Sequence, residues 1–397
     1  MAKQEIPVLL LTGYLGSGKT TLLNHILTNE RGIRFAVIVN DIGEVNIDAS
    51  LIQKGGIVGG KDSGDLVALQ NGCICCTLKM DLVKQLADIT AMGKFDYIVI
   101  EASGICEPAP IAQTICSIPS MGTEYTRGGV PRLDCIVTVV DALRLASEFG
   151  CGDKLRGDVG EEDIESLVVQ QIEFCNVVLL NKISEVTPEQ AAHIRTIVRA
   201  LQPKAKIIEC DYANVDLDEI VGTGMFDFED VATSATWVRE IERPVTEEEE
   251  HEAHGHHHHH HDHEHHHHGH DGEGDTGEYG IQTFVYYRRR PFDLNKFDYL
   301  ASKWPGNIIR TKGVVYFSAN TDMSYLFEQA GVQKNITESG LWLATAPAED
   351  LEQMAAADPT ILRDWDPEIG DRMIKLVIIG QNLDREAIST SLDACLA

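Results

Sequence analysis

Apolar residues in this chain fall into short unbroken runs, with stretches of helical spacing between them. Residues 6–12, 34–39, 96–101, 135–140, 177–180 and 206–210 each read as a buried strand. Residues 21–28, 79–92, 161–174 and 188–200 read as helices. Strands alternating with helices predict an α/β fold with a doubly wound, mostly parallel sheet. The pattern stops near Trp237 and resumes at about residue 280, where strands over 281–287, 313–318, 340–344 and 374–379 are separated by helices over 293–304, 349–356 and 384–396. That spacing predicts a smaller C-terminal α/β domain. The organisation expected is therefore a first domain over 1–236, a linker over 237–279 and a second domain over 280–397.

The linker is set apart by composition. Residues 247–250 are all Glu, and fourteen of the sixteen histidines lie between His251 and His270 with no Lys or Arg among them. Such a segment has too little apolar surface to offset the entropy of ordering and is expected to be disordered. Its imidazoles and carboxylates suit several weak sites for Zn²⁺, Ni²⁺, Co²⁺ or Cu²⁺.

A net charge of −29 argues against a nucleic-acid partner. No apolar run approaches the ~20 residues that span a bilayer, so the protein is expected to be cytoplasmic, with no membrane partner. Cys116, Cys135, Cys175, Cys210 and Cys395 stand singly in apolar or mixed stretches and are expected to be buried.

Chemistry concentrates at the ends of the predicted strands. Residues 13–20 read GYLGSGKT, a full match to the phosphate-binding pattern GxxxxGK[ST], set between a strand and a helix. Gly13, Gly16 and Gly18 let such a loop wrap tightly and aim backbone N–H groups at phosphate oxygens. Lys19 is placed to reach the β- and γ-phosphates, and the Thr20 hydroxyl to ligate Mg²⁺. Glu101 ends a strand beside this loop, where such folds hold Mg²⁺ or its water, and Gly104 can approach the γ-phosphate. Residues 40–48, NDIGEVNID, are polar and acidic at a strand end, where open α/β sheets bind ligands.

Cys73, Cys75 and Cys76 lie in GCICCTL just ahead of a helix, a spacing that lets three thiolates converge on one soft or borderline metal. A fourth position is left to another residue, to water or to a partner. At 181–184 stands NKIS, a variant of the guanine-reading NKxD element with Ser184 where the carboxylate belongs. The adjacent Glu185 is a candidate to supply it, and the sequence leaves GTP and ATP both open.

Taken together, GYLGSGKT, NDIGEVNID, GCICCTL, EASG at 101–104 and NKIS resemble the CobW-type metal-linked GTPases, relatives of the UreG and HypB nickel chaperones. The histidine run and the later RRRPFD, RTKGVVYF and IIGQNLD segments are similar to that family as well, so the resemblance covers nearly the whole chain. It implies a GTPase that binds a transition metal, with zinc first and cobalt or nickel as alternatives, and transfers it to a client metalloprotein. By the same resemblance Gly16, Ser17, Gly18, Lys19, Thr20 and Thr21 cradle phosphate and Mg²⁺, and Glu101 serves the Mg²⁺ shell. Cys73, Cys75 and Cys76 with Asp41 or Glu44 hold the cargo metal, and Asn181 and Lys182 contact the base. The client would dock through the C-terminal domain or the cysteine loop, and a homodimer is compatible with the pattern. The alternatives are a nucleotide-binding metal store and an ATP-using P-loop enzyme.

Overall fold

The computed structural model describes residues 4–28, 31–39, 79–148, 164–246, 249–250, 253, 278–331 and 333–397. The chain divides into two compact units, 1–151 with 160–235, and 152–159 with 236–397.

Among the described residues the first unit holds six parallel strands, β1 (Glu5–Thr12), β2 (Phe35–Val39), β3 (Tyr97–Glu101), β4 (Val130–Asp141), β5 (Val177–Asn181) and β6 (Lys206–Glu209), in the order β2-β3-β1-β4-β5-β6. Every residue of β2, β3 and β5 is buried. Continuous apolar strands of this kind are what a sheet covered by helices on both faces requires. The covering helices are α1 (Lys19–Leu27), α2 (Lys79–Met92), α3 (Pro108–Ser117), α4 (Ala142–Glu148), α5 (Ile164–Glu173), α6 (Pro188–Leu201) and α7 (Phe228–Ser234). At the start of α6 the sequence TPEQ folds as a capping box: Thr187 accepts from the Gln190 N–H, and Gln190 accepts from the Thr187 N–H. Parallel register aligns the strand ends, with Leu11 opposite Glu101, Thr12 opposite Thr138 and Asp141 opposite Asn181. The carboxyl ends of β1, β3, β4 and β5 thus share one edge, beside the switch in strand order at β1.

Among the described residues the second unit carries five strands, β7 (Ile281–Arg288), β8 (Ile308–Phe317), β9 (Asn320–Ala330), β10 (Gln333–Leu341) and β11 (Ile374–Gln381), in the order β10-β9-β8-β11-β7. All its pairings are antiparallel. Helices α9 (Leu294–Ala301), α10 (Ala348–Ala357) and α11 (Arg385–Asp393) accompany the sheet. Tyr286, Phe292, Phe297, Phe317 and Phe327 pack in its core, with the Phe292 and Phe297 rings stacked at 4.7 Å.

The expected linker begins too early. Thr236–Glu242 is a helix, α8, whose Thr236 and Val238 are buried within the second unit. The Lys375 ammonium donates to the carbonyls of Ile241 and Arg243 at 2.9 and 2.7 Å, and Arg243 in turn forms a two-pronged pair with Glu249. A buried cation seeking acceptors therefore holds residues whose polar sequence reads as linker. The histidine run itself lies outside the described residues. Among the described residues no helix is long and apolar enough to cross a membrane.

Candidate functional site

Gly13, Gly16 and Gly18 all have positive φ, at 130°, 77° and 114°. A Cβ on Gly13 would lie 2.2 Å from the Val139 carbonyl oxygen, and one on Gly18 would lie 2.4 Å from Asn181 Nδ2. Gly16 has open space around it. The loop is thus pressed against β4 and β5 on one side and open on the other. Gly18 caps α1, so the free N–H groups and positive dipole end of that helix face the loop.

Lys19 is 7% exposed, and its ammonium folds back over the loop to donate to the Gly13 carbonyl at 2.6 Å and the Tyr14 carbonyl at 3.2 Å. Ser17 is buried, and its hydroxyl has no hydrogen-bond partner among the described residues. A buried orphan hydroxyl, a cradle that Cβ atoms would fill and a retained ammonium are the features a phosphate chain needs, so the residues fit a nucleotide.

The Thr20 hydroxyl donates to Glu101 Oε1 at 2.9 Å, and Glu101 is 2% exposed at the end of β3. A hydroxyl and a buried carboxylate meeting beside a phosphate cradle form an all-oxygen donor set suited to Mg²⁺. Gly104 sits against the loop, where a Cβ would come within 2.6 Å of the Leu15 nitrogen. Gln171, buried on α5, fixes this turn by donating to the carbonyls of Gly104 and Cys106. Thr21 follows on α1 with its side chain exposed.

On the other flank Asn181 acts as a strut. Its Nδ2 donates to the Ser17 carbonyl at 2.8 Å, and its Oδ1 accepts from the Ala213 N–H at 2.8 Å, tying the phosphate loop to the loop after β6. Lys182 has φ 60° and pairs with Asp141 Oδ2 at 2.5 Å. Tyr14 lies under the Arg144 guanidinium at 4.2 Å.

The predicted metal ligands Asp41, Glu44, Cys73, Cys75 and Cys76 lie outside the described residues. Among the described residues no three His, Cys, Asp or Glu side chains cluster as a metal site. Cys135, Cys175, Cys210 and Cys395 are buried as expected, whereas Cys116 is exposed. Burial raises the Cys210 thiol to about 11, with the Asp211 carboxylate adding to the shift, and raises Cys175 to about 12. Thiols held protonated in this way are poor metal ligands and nucleophiles.

Sequence reasoning missed Gln171, Asp141 and Asp211, which act through contacts distant along the chain. The only local signal was the end-of-strand position of Asp141 and Asp211.

Two family models match the chain. One is described as CobW/HypB/UreG, nucleotide-binding domain, over residues 7–209, and the other as Cobalamin synthesis protein cobW C-terminal domain, over 281–396. The zinc-regulated GTPase metalloprotein activator 1 of Dictyostelium discoideum is 33% identical over 99% of this chain and 80% of its own length. The zinc chaperone CobW of Pseudomonas aeruginosa is 32% identical, with the match covering 55% of this chain and 60% of that protein. The Zn(II)-bound YjiA GTPase of E. coli aligns over 99% of this chain and 100% of its own at 20% identity, with a TM-score of 0.40.

Proposed function

The chain belongs to the CobW/HypB/UreG family, with the CobW C-terminal domain following its nucleotide-binding domain, and from that premise we propose that it is a GTP-hydrolysing metallochaperone. In this reading it binds a transition metal, zinc first, and passes it to a client metalloprotein. The names of its relatives, a zinc-regulated GTPase activator and a zinc chaperone, support that choice.

The observation that carries the nucleotide half is the Thr20–Glu101 hydrogen bond beside a glycine cradle closed by Lys19. Lys19 exchanges its two loop carbonyls for β- and γ-phosphate oxygens and balances the charge that builds on the leaving diphosphate. Thr20 and Glu101 are the residues that would hold Mg²⁺, which would neutralise negative charge on the phosphate chain. Backbone N–H groups of Gly16, Ser17 and Gly18, with those of Lys19, Thr20 and Thr21 at the start of α1, orient the phosphate chain, and Gly104 lets the backbone after β3 approach its γ end. Asn181 braces this loop against the base side, and the aliphatic stem of Lys182 covers the base.

The cargo metal is assigned to Cys73, Cys75 and Cys76, with Asp41 or Glu44 completing the set. Client contact falls to the C-terminal unit or the cysteine loop. The fourteen histidines of 251–270 favour a second reading, a nucleotide-binding metal store. Turnover that responds to metal separates the two.

Phosphate release from GTP tests the assignment. Lys19→Ala and Glu101→Gln should each lower the rate by at least about 100-fold. A wild-type rate in either variant would remove that residue from the site.

A further inference from the structure

The guanine-reading element of this chain lacks its carboxylate, because Ser184 stands at the last position of NKIS. A carboxylate nevertheless reaches the same place from another loop. Asp211 follows β6, and its Oδ1 accepts two hydrogen bonds from Ser184, from the backbone N–H at 3.0 Å and from the hydroxyl at 2.9 Å. The two loops are joined at further points: the Ile183 N–H donates to the Cys210 carbonyl at 3.3 Å, and the Cys210 N–H to the Leu180 carbonyl at 2.9 Å. Ala213 is tied to Asn181 and so to the phosphate loop, while its carbonyl is bonded to His25 of α1 at 3.1 Å.

The loop is held in a demanding shape. Tyr212 and Ala213 have φ of 52° and 53°, a region that side-chain-bearing residues seldom adopt unless their surroundings impose it. Oδ2 of Asp211 makes no hydrogen bond among the described residues, and Tyr212 beside it is 82% exposed. Glu185, the neighbour expected to replace the missing carboxylate, is exposed, and its side chain makes no hydrogen bond or ion pair among the described residues. Only its backbone is engaged, in a turn to the Lys182 carbonyl at 3.1 Å.

We propose that Asp211 is the specificity-determining residue of the nucleotide site, its carboxylate positioned by Ser184 to accept the N1–H and 2-amino hydrogens of guanine. This rests on the reading above that the phosphate loop serves a guanine nucleotide. Guanine offers two adjacent donors on that edge, which a carboxylate matches. Adenine offers an acceptor and no 2-amino group, and would leave the carboxylate unpaired. Ser184 contributes through Asp211 and is a positioning residue.

The test is titration of fluorescent diphosphates of guanosine, adenosine and xanthosine into the full-length protein. Wild type should prefer guanosine over adenosine diphosphate by at least about tenfold. Asp211→Asn keeps an Oδ1 for Ser184 to donate to but turns the other atom into a donor. Guanosine diphosphate should then bind at least about tenfold more weakly and xanthosine diphosphate, which carries a carbonyl in place of the 2-amino group, at least about tenfold more tightly. Glu185→Gln should leave all three affinities unchanged. The exchange variant, Asp211→Ser with Ser184→Asp, should recover the guanosine preference, because hydroxyl and carboxylate trade places across the same hydrogen bond. That gain of function could not come from a misfolded protein. A wild type that prefers guanosine, with Asp211→Asn unchanged toward guanosine and xanthosine, would overturn the assignment and leave the function intact. A wild type that binds adenosine and guanosine diphosphates equally would overturn both.

Discussion

Replacing Gly18 with Ala probes the contact on which the phosphate site is built. The new Cβ would lie 2.4 Å from Asn181 Nδ2, where ordinary contact begins at 3.4 Å, so Asn181 has to move by about 1 Å. That displaces its 2.8 Å bonds to the Ser17 carbonyl and the Ala213 N–H, both buried. Disturbing them costs about 1 to 3 kcal/mol. The backbone at φ 114° adds about 1 to 2 kcal/mol of strain for a residue bearing a Cβ. Loss of glycine entropy in the unfolded chain returns about 0.4 to 1 kcal/mol. The net loss is about 1 to 5 kcal/mol. Gly16→Ala is the control, since φ is 77° but a Cβ there meets nothing within 4 Å. It carries the strain without the collision, so the difference between the two variants isolates the Asn181 strut at about 1 to 3 kcal/mol. All four Trp residues lie at position 237 or beyond, so tryptophan fluorescence reports the second unit. The first unit is better followed by hydrogen exchange of the β1 and β5 amides, without nucleotide. If both variants lose the same stability to within about 0.5 kcal/mol, the strut is not holding the loop.

Two further outcomes are expected. Burial, reinforced by the Arg243 charge, lowers the Lys375 ammonium to about 8, while the unfolded chain keeps its Lys near ~10.4. Between those values the unfolded state binds the extra proton, so Lys375 adds stability to the second unit as pH rises from about 8 to about 10.5, by up to about 3 kcal/mol, against the opposite contribution of Cys395, Tyr286 and Tyr287, which burial keeps protonated in the fold. Urea midpoints read by tryptophan fluorescence at pH 7 and pH 10 should shift upward in wild type relative to Lys375→Met, in which the opposing groups are retained; parallel pH profiles would refute it. Deleting residues 251–270 should lower the number of weakly bound Zn²⁺ ions seen by equilibrium dialysis while leaving GTP hydrolysis within about twofold, and loss of the tight site would contradict the separation of reserve from cargo.

The strands that carry the site were legible because each is an unbroken apolar run, and the GxxxxGK[ST] spacing dictates its own loop geometry. The strand pair Asn320–Ala330 and Gln333–Leu341 was less so: the first was not anticipated, and the second was expected only at its end. Every residue of the second strand is exposed, so no alternation of buried and polar positions marks it, and main-chain pairing to its neighbour defines it instead. Thr236–Glu242 was lost in the same way, since its anchor, Lys375, lies more than a hundred residues away. Asn181 was expected to contact the base, but its role as a strut depends on Ser17 and Ala213, and no local pattern announces either. The role of Asp211 was hidden because its partner Ser184 reads as the loss of a carboxylate until the two loops are seen together.

The proposed transfer of metal by a GTP-hydrolysing chaperone requires a metal affinity that differs between the GTP and GDP states. It is tested most directly by measuring Zn²⁺ affinity, by competition with a chelator, with a non-hydrolysable GTP analogue bound and again with GDP bound, in wild type and in Cys75→Ser. Coupling of the usual size predicts a difference of about 5- to 150-fold between the two nucleotide states in wild type, matched by an equal shift of relative GTP and GDP affinity when Zn²⁺ is added, and no difference in the variant. Equal Zn²⁺ affinities in the two states would contradict the account and leave a nucleotide-binding metal store.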